Sequence, residues 1–415
     1  MAKNYLQDDG QIIPAECREV AAEGTTTQVS FHNMQLGADW SPQEEKHSIT
    51  REKQKMTTPN QAFVYIGTVT RQGSEGIYLS VLDLENGHLS EPQLAVKVSN
   101  PDFFATGSQN RYLYCTGKGP ANSDIPVGAV NGFAIDQSTG ELTYLNSQYI
   151  EGASYCHIST NHQGTALLAA DYSSGDIASF PIDAQGYLAA AVSRIHHQGF
   201  TQANPARQNR PHLHSINLDH ANQYAFVCDF SADEVTVYRF DAASTELVRV
   251  NATKTAPGAG PRHLTLHPTR DLIYVINELN GTIAVYQFDV AAVTLQEIQT
   301  VPTLPEDFTA KNTTAEIAIS PDERFLYGSN RGHDSLAHYQ LDTQSGKLTF
   351  SGRTSTGGQH PRNFTIDPTG KFLLAANRDT DNVVVFGLDE STGEPIPTGQ
   401  QLQISMPMCV KIILR

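Results

Sequence analysis

Three residue types able to grip or protonate oxygen recur at matching places in this 415-residue chain. Arg262 and Glu278 stand near the two ends of GPRHLTLHPTRDLIYVINE, residues 260–278. Arg331 closes AEIAISPDERFLYGSNR (315–331), Arg362 opens PRNFTIDPTGKFLLAANR (361–378), and His214 closes PHLH. Guanidinium groups bind carboxylate or phosphate through paired hydrogen bonds. A histidine or carboxylate beside them can move a proton near neutral pH. Several cations around one cavity also lower the energy of a developing oxyanion, by about 3 kcal/mol per preorganised donor. The chemistry such a set supports is the binding of a small anion, with proton transfer to or from it.

That chemistry requires the residues to meet, so the elements carrying them decide the matter. From Gln61 onward the chain is a repeat. An apolar segment ends at Gly67, Gly117, Asp171, Asp229, Asn277, Asn330 and Asn377, 47 to 58 residues apart. In the last five units an aspartate follows 12 residues later (Asp183, Asp241, Asp289, Asp342, Asp389), after a stretch of alternating polarity such as VTVYRFD. Turn signals (DAQGYL, TQSGKL, ESTGEP) then precede a fourth strand. Four short antiparallel strands per unit, repeated seven times, predict an all-β fold, a seven-bladed β-propeller. No Trp-Asp dipeptide follows any strand, so the units differ from WD40 repeats. PMCVKII (407–413) matches the first strand of a unit and lacks a second, whereas QAFVYIG has no first strand before it. The two termini are therefore expected to share a blade and close the ring.

Aligned on these anchors, the position 15 residues earlier in the last five units holds Cys156, His214, Arg262, Ala315 and Arg362. The position just after the anchor holds Tyr172, Phe230, Glu278, Arg331 and Arg378. The start of one strand and the end of its antiparallel neighbour lie at the same edge of a sheet. His214, Arg262, Glu278, Arg331 and Arg362 are thus predicted to ring one mouth of the central channel. His157, His212, His263 and Glu316 are placed to join them. Asn277, Asn330 and Asn377 read instead as loop-capping residues. His212 and His214 share a strand face near His196-His197, but no third ligand accompanies them, and no metal is expected. Neither a G-x-S-x-G elbow nor a GxGxxG or P-loop occurs, which leaves covalent serine chemistry and nucleotide cofactors unsupported.

Composition sets the outer bounds. A net charge of −16 argues against general nucleic-acid binding, yet allows a local arginine cluster to hold a small anion. No apolar run reaches the length of a membrane span, and the first residues show no secretory pattern, so a cytoplasmic location is expected. Five cysteines without a CxxC, four of them within apolar strands, read as reduced and inert. Residues 1–58 are polar, without sustained periodicity, and contain the single tryptophan, Trp40. They read as a poorly ordered or surface-wrapping extension, with the propeller spanning 59–415.

PHLHSINLD, GPRHLTLHP, INELNGTIAVYQFD, AEIAISPDERFLYGSNRGHDS and HPRNFTIDPTGKFLLAANRDTDNVVVF resemble the seven-bladed lactonase family. That family includes propeller-type 6-phosphogluconolactonases and a fungal carboxy-muconate lactonising enzyme. The resemblance covers about residues 61–413 and is densest after 210. It implies a cytoplasmic enzyme for a lactone or its open hydroxy acid, with no tightly bound cofactor. It also implies a site built from His214, Arg262, Glu278 and Arg331. The extension and Tyr172 depart from the family pattern. The expected reaction is hydrolysis of 6-phosphoglucono-δ-lactone, with Arg331 and Arg362 on the phosphate and Arg262 on the carbonyl. Glu278 or His214 would activate water. A lactonase or cycloisomerase for muconate-type dicarboxylates, and a non-catalytic binding platform, are the alternatives. The oligomeric state is not legible.

Overall fold

A computed structural model describes residues 60–119 and 127–415. The proposed extension, with Trp40 and Cys17, lies outside the described residues. The described chain forms seven sheets of four antiparallel strands each. The first strand of each sheet touches the first strand of the next, and the C-terminal strand Pro407–Leu414 touches Phe104–Thr106 to complete the circuit. Blade one takes Pro407–Leu414 as its inner strand, followed outward by Gln61–Thr68, Gly76–Asp83 and Gln93–Lys97. Both termini of the propeller therefore lie in one blade, as the half-units at the two ends of the repeat predict. Blades two to seven span 104–151, 155–196, 213–254, 261–302, 313–355 and 361–403.

Burial follows from this stacking. Second strands such as Leu272–Asn277 and Phe372–Asn377 lie between neighbouring blades and are buried along their whole length. They are accordingly apolar without alternation, unlike a half-exposed strand. The core consists of slabs between adjacent blades; one joins Leu272, Tyr274 and Ile276 of blade five to Ile317, Leu326 and Tyr339 of blade six. The recurring aspartates are turn caps. Oδ1 of Asp289, for example, accepts the amides of Ala291 and Ala292, and Asp389 does the same for Ser391 and Thr392.

Blades are also latched polar group to polar group. The hydroxyls of Tyr65, Tyr114, Tyr274 and Tyr327 donate to the carbonyls of Gly140, Gly186, Gly346 and Gly393 in the following blade. Each of those glycines has positive φ, and at Gly393 an added Cβ would sit 2.4 Å from the Phe325 ring. Where the second strand carries no tyrosine the latch changes: in blade three, Ser179 Oγ donates to the carbonyl of Thr245.

The inner strands share one irregularity that matters for the site. In blade five the ladder runs Pro261↔Asn277 and then His263↔Ile276, leaving Arg262 unmatched. Arg362, His214 and Cys156 are skipped in the same way in blades seven, four and three, and in blade six the break falls over Ala315 and Glu316. These are β-bulges, which re-aim side chains by inserting an unpaired residue. In a regular strand Arg262 and His263 would face opposite sides. Here their side chains touch, with Nη1 3.2 Å from Nε2.

Tyr327→Phe is expected to lower unfolding free energy by about 1 kcal/mol through loss of one cross-blade hydrogen bond. Gly393→Ala is expected to cost more, on the order of 2 kcal/mol, because it combines positive φ with a clash. The urea midpoints of the two variants against the parent chain test that order.

Candidate active site

The bulged residues and the ends of the second strands converge at one mouth of the channel. Glu278, at the exit of blade five's second strand, is buried and surrounded by guanidiniums. Its Oε2 lies 3.1 Å from Arg262 Nε and 2.8 Å from Arg331 Nη2, and its Oε1 accepts from Arg207 Nη2 at 2.6 Å. Arg262 Nη1 also donates to the Ala315 carbonyl at 2.7 Å, and Arg331 Nη2 to the Thr314 carbonyl at 2.6 Å. Burial pushes the Glu278 carboxyl upward, but the fields of Arg331, Arg262 and Arg207 outweigh it and hold the group at about 2. Glu278 is therefore a fixed anion at any pH near neutral.

Arginine remains in excess. Arg362 forms no ion pair or hydrogen bond among the described residues, yet its charge acts on Arg262, Arg331, His214 and His263. Burial, followed by repulsion from Arg331 and Arg362, draws Arg262 down to about 9 despite Glu278. It is still protonated at neutral pH, in a site short of negative charge.

A second network crosses four blades. Arg262 Nη1 donates to His263 Nε2, and His263 Nδ1 lies 3.0 Å from Glu316 Oε1, so the imidazole is a neutral Nδ1–H tautomer. Glu316 Oε2 accepts from Asn363 Nδ2 at 2.6 Å, and Asn363 Oδ1 accepts from the Val410 amide of the closing strand at 2.9 Å. Burial raises the Glu316 carboxyl, with Arg262 pulling the other way. The rings of His157 and His214 stand 5.2 and 5.1 Å from that of His263, and Phe103 lies 4.3 Å from His157. Burial, reinforced by neighbouring cations and imidazoles, lowers all three histidines well below the usual range.

The structure thus gathers His157, His214, Arg262, His263, Glu278, Glu316, Arg331 and Arg362 around one mouth. His212 is set back: its Nδ1 donates to the Tyr172 carbonyl and its ring stacks on Tyr172 at 4.2 Å. Arg378 turns to Asp379 at 2.6 Å. Asn277, Asn330 and Asn377 bond to Thr282, Thr303 and the Thr356 carbonyl, in keeping with a structural role. His197, Asp229 and Glu234 approach one another as metal ligands would. However, His197 already bonds Asp229 at 2.7 Å and Tyr238 at 2.5 Å, and Glu234 pairs with Arg249 and Lys254. The four described cysteines are free, and burial pushes the thiols of Cys156, Cys228 and Cys409 up to about 12. A groove of about 330 Å³ beside Asp322, Arg324, Thr369 and Lys371 lies among the turns between blades six and seven. The axial mouth is the better site, because buried charges converge there.

Two further residues belong to this mouth. Arg207 comes from the aperiodic segment between blades three and four, where the unit spacing reaches its maximum of 58 residues. That excess length was its only signal. Asp102 lies 15 residues before Gly117, so carrying the offset of Arg262 and Arg362 into the second unit lands on it.

The comparisons with known proteins bear on the fold and the family. Residues 63–412 match the family model described as lactonase, 7-bladed beta-propeller. The chain belongs to the seven-bladed β-propeller lactonase family. It is 39% identical over 350 residues to a 6-phosphogluconolactonase of Bacillus subtilis, covering 84% of this chain and 97% of that protein. A 6-phosphogluconolactonase of Formosa agariphila is 28% identical over 312 residues, covering 73% of this chain and 86% of the other. The solved structure of a periplasmic gluconolactonase from Pseudomonas aeruginosa superimposes with a TM-score of 0.80 at 30% identity, over 85% of this chain and 99% of that one. This lactonase is a carboxylic-ester hydrolase resembling 6-phosphogluconolactonase. Among the described residues no helix is long and apolar enough to cross a membrane.

The buried histidines set an acid limit on stability. Their folded values lie below the ordinary 6.5, so below that pH the unfolded chain takes up protons that the folded lactonase refuses. Stability should therefore fall as pH drops from 7 to 5, with a slope of up to about 4 kcal/mol per pH unit from three such groups. Glu278 acts lower: its stabilisation is present above its ordinary 4.5 and is lost only as pH falls towards 2. Denaturant midpoints measured across pH 4 to 8 check the first window.

Proposed function

We propose that this lactonase hydrolyses 6-phosphoglucono-δ-lactone to 6-phosphogluconate at the channel mouth. The observation that carries the reading is the surplus of guanidinium charge there: Arg207, Arg262, Arg331 and Arg362 stand against one firmly ionised carboxylate, Glu278. In a chain of net charge −16, such a local surplus draws in a small anion. Arg362, unpaired among the described residues, and Arg331 hold the phosphate. Arg262 polarises the lactone carbonyl and stabilises the tetrahedral oxyanion formed when water attacks.

Glu278 serves as the counter-charge that orients three guanidiniums; an anion held at about 2 and already engaged by three cations is a poor proton acceptor. Neutral His263 touches Arg262 and neutral His214 packs against His263, so in this reading both stand near the carbonyl that Arg262 polarises. A lactone is an activated ester, so water attack aided by cations and one proton acceptor suffices without a covalent intermediate.

Gluconolactone without phosphate is the second reading, favoured by the likeness to the Pseudomonas enzyme. Purified chain should open the phosphorylated lactone with a higher kcat/KM than glucono-δ-lactone. Arg262→Ala should lower kcat by about 10²-fold or more. Arg362→Ala should act mainly on KM, and only for the phosphorylated substrate. Opening no faster than the spontaneous reaction would sink the proposal.

A further inference from the structure

In blade two the position that matches the bulged residues by its offset from the anchor holds a carboxylate, just ahead of the strand Phe104–Thr106. Pro101-Asp102 repeats the Pro261-Arg262 and Pro361-Arg362 pairs, at the same distance from the end of the second strand. The backbone agrees: the amide of Thr116, one residue before the anchor Gly117, donates to the Phe103 carbonyl, as Ile276 before its anchor pairs with His263. By sequence offset and by the pairing of the residue that follows it, Asp102 corresponds in blade two to Arg262 in blade five and Arg362 in blade seven.

Three observations say that this carboxyl is presented and not consumed. First, its Oδ1 is shielded from solvent and has no hydrogen-bond partner among the described residues. Second, its backbone is pinned, since Thr116 Oγ1 accepts the amides of both Asp102 and Phe103 at 3.1 and 3.0 Å. Third, the next residue, Phe103, lies against His157 at 4.3 Å and His263 at 5.6 Å, which fixes this corner to the histidines of the site. Arg362 acts on Asp102 through its charge, yet the two form no ion pair. A cation and a carboxylate, neither with an ion-pair partner among the described residues, thus stand close enough for each charge to be felt by the other.

We propose that Asp102 is the general base of the lactonase. The inference rests on the lactone-hydrolysis reading above. Its carboxylate takes a proton from water as the water oxygen bonds to the lactone carbonyl carbon, whose π electrons move onto the carbonyl oxygen beside Arg262. Collapse of the tetrahedral oxyanion re-forms the carbonyl and breaks the bond to the ring oxygen. The proton then passes from Asp102 to that oxygen, which leaves as a hydroxyl, and the carboxylate is restored. Nothing else is consumed, and the product acid ionises into solvent.

The titration behaviour fits this task. Burial raises the Asp102 carboxyl to about 6, while Arg362, Lys118 and Arg71 pull it down. The thiols of Cys115 and Cys409 also face it, and their own titration is pushed far above neutrality by burial. A base near 6 is ionised at neutral pH yet holds a proton well enough to return it.

The test is the pH dependence of kcat/KM for the phosphorylated lactone, corrected for spontaneous opening, in the parent chain, Asp102→Asn and Asp102→Glu. The parent should lose activity as pH falls through about 6. Asp102→Asn should be slower by 10²-fold or more and lack that limb, with an unchanged denaturant midpoint, and Asp102→Glu should recover part of the rate. A parent-like rate and acid limb in Asp102→Asn would overturn the proposal. A readout without turnover separates it from the parent reading: binding of gluconate, which does not titrate between pH 5 and 8. Affinity should rise as Asp102 is protonated below pH 6 in the parent chain and stay flat in Asp102→Asn. A step of equal size in both proteins would refute the assignment even if the lactone is opened.

Discussion

The site exists because Glu278 holds three guanidiniums in place. Arg207, Arg262 and Arg331 come from an inter-blade segment, a bulge and the end of a second strand, and each reaches the same carboxylate. Like charges a few ångströms apart in a buried setting repel by several kcal/mol. One anion cannot neutralise three cations, and a fourth, Arg362, stands by without a partner among the described residues. The arrangement therefore leaves guanidinium charge in excess over Glu278 at the mouth. Removing Glu278 would expose the imbalance, since breaking a buried ion pair from one side typically costs 3–5 kcal/mol.

A second constraint links the site to the ring. The path from Arg262 through His263, Glu316 and Asn363 ends on the amide of Val410, in the strand with which the C-terminus closes blade one. The polar contacts that orient the channel histidines thus also tie blades five, six, seven and one together. Elsewhere the blades are held by apolar slabs and tyrosine latches, and the polar channel adds side chains that bond from one blade to the next.

Much of this was legible in the sequence, because repetition turns position into geometry. Seven anchors at regular spacing gave the blades, the two half-units at the termini gave the closure, and one shared offset brought Arg262, Arg362 and His214 to a single mouth. What the pattern did not show was the bulge, since an unpaired residue leaves the apolar periodicity of its strand nearly intact. Arg207 was hidden for a different reason: its segment belongs to no strand, and only the extra length between two anchors marks it. Asp102 lies at the same offset before Gly117, but its unit has Ala129 where the last five units carry the aspartate that marks the repeat. The state of Glu278 also needed three dimensions, because burial and three cations push its titration in opposite directions.

The bulges have a consequence for how such a protein can change. A residue left out of the hydrogen-bonded ladder places no demand on the strand opposite. Blades three to seven carry cysteine, histidine, arginine, alanine and arginine at that place on one common frame. Architecture and chemistry are in this sense written on separate residues, so the side chains facing the axis can be exchanged like the bits of a drill while the chuck stays fixed. A frame of this kind can acquire a different substrate without first having to learn to fold again.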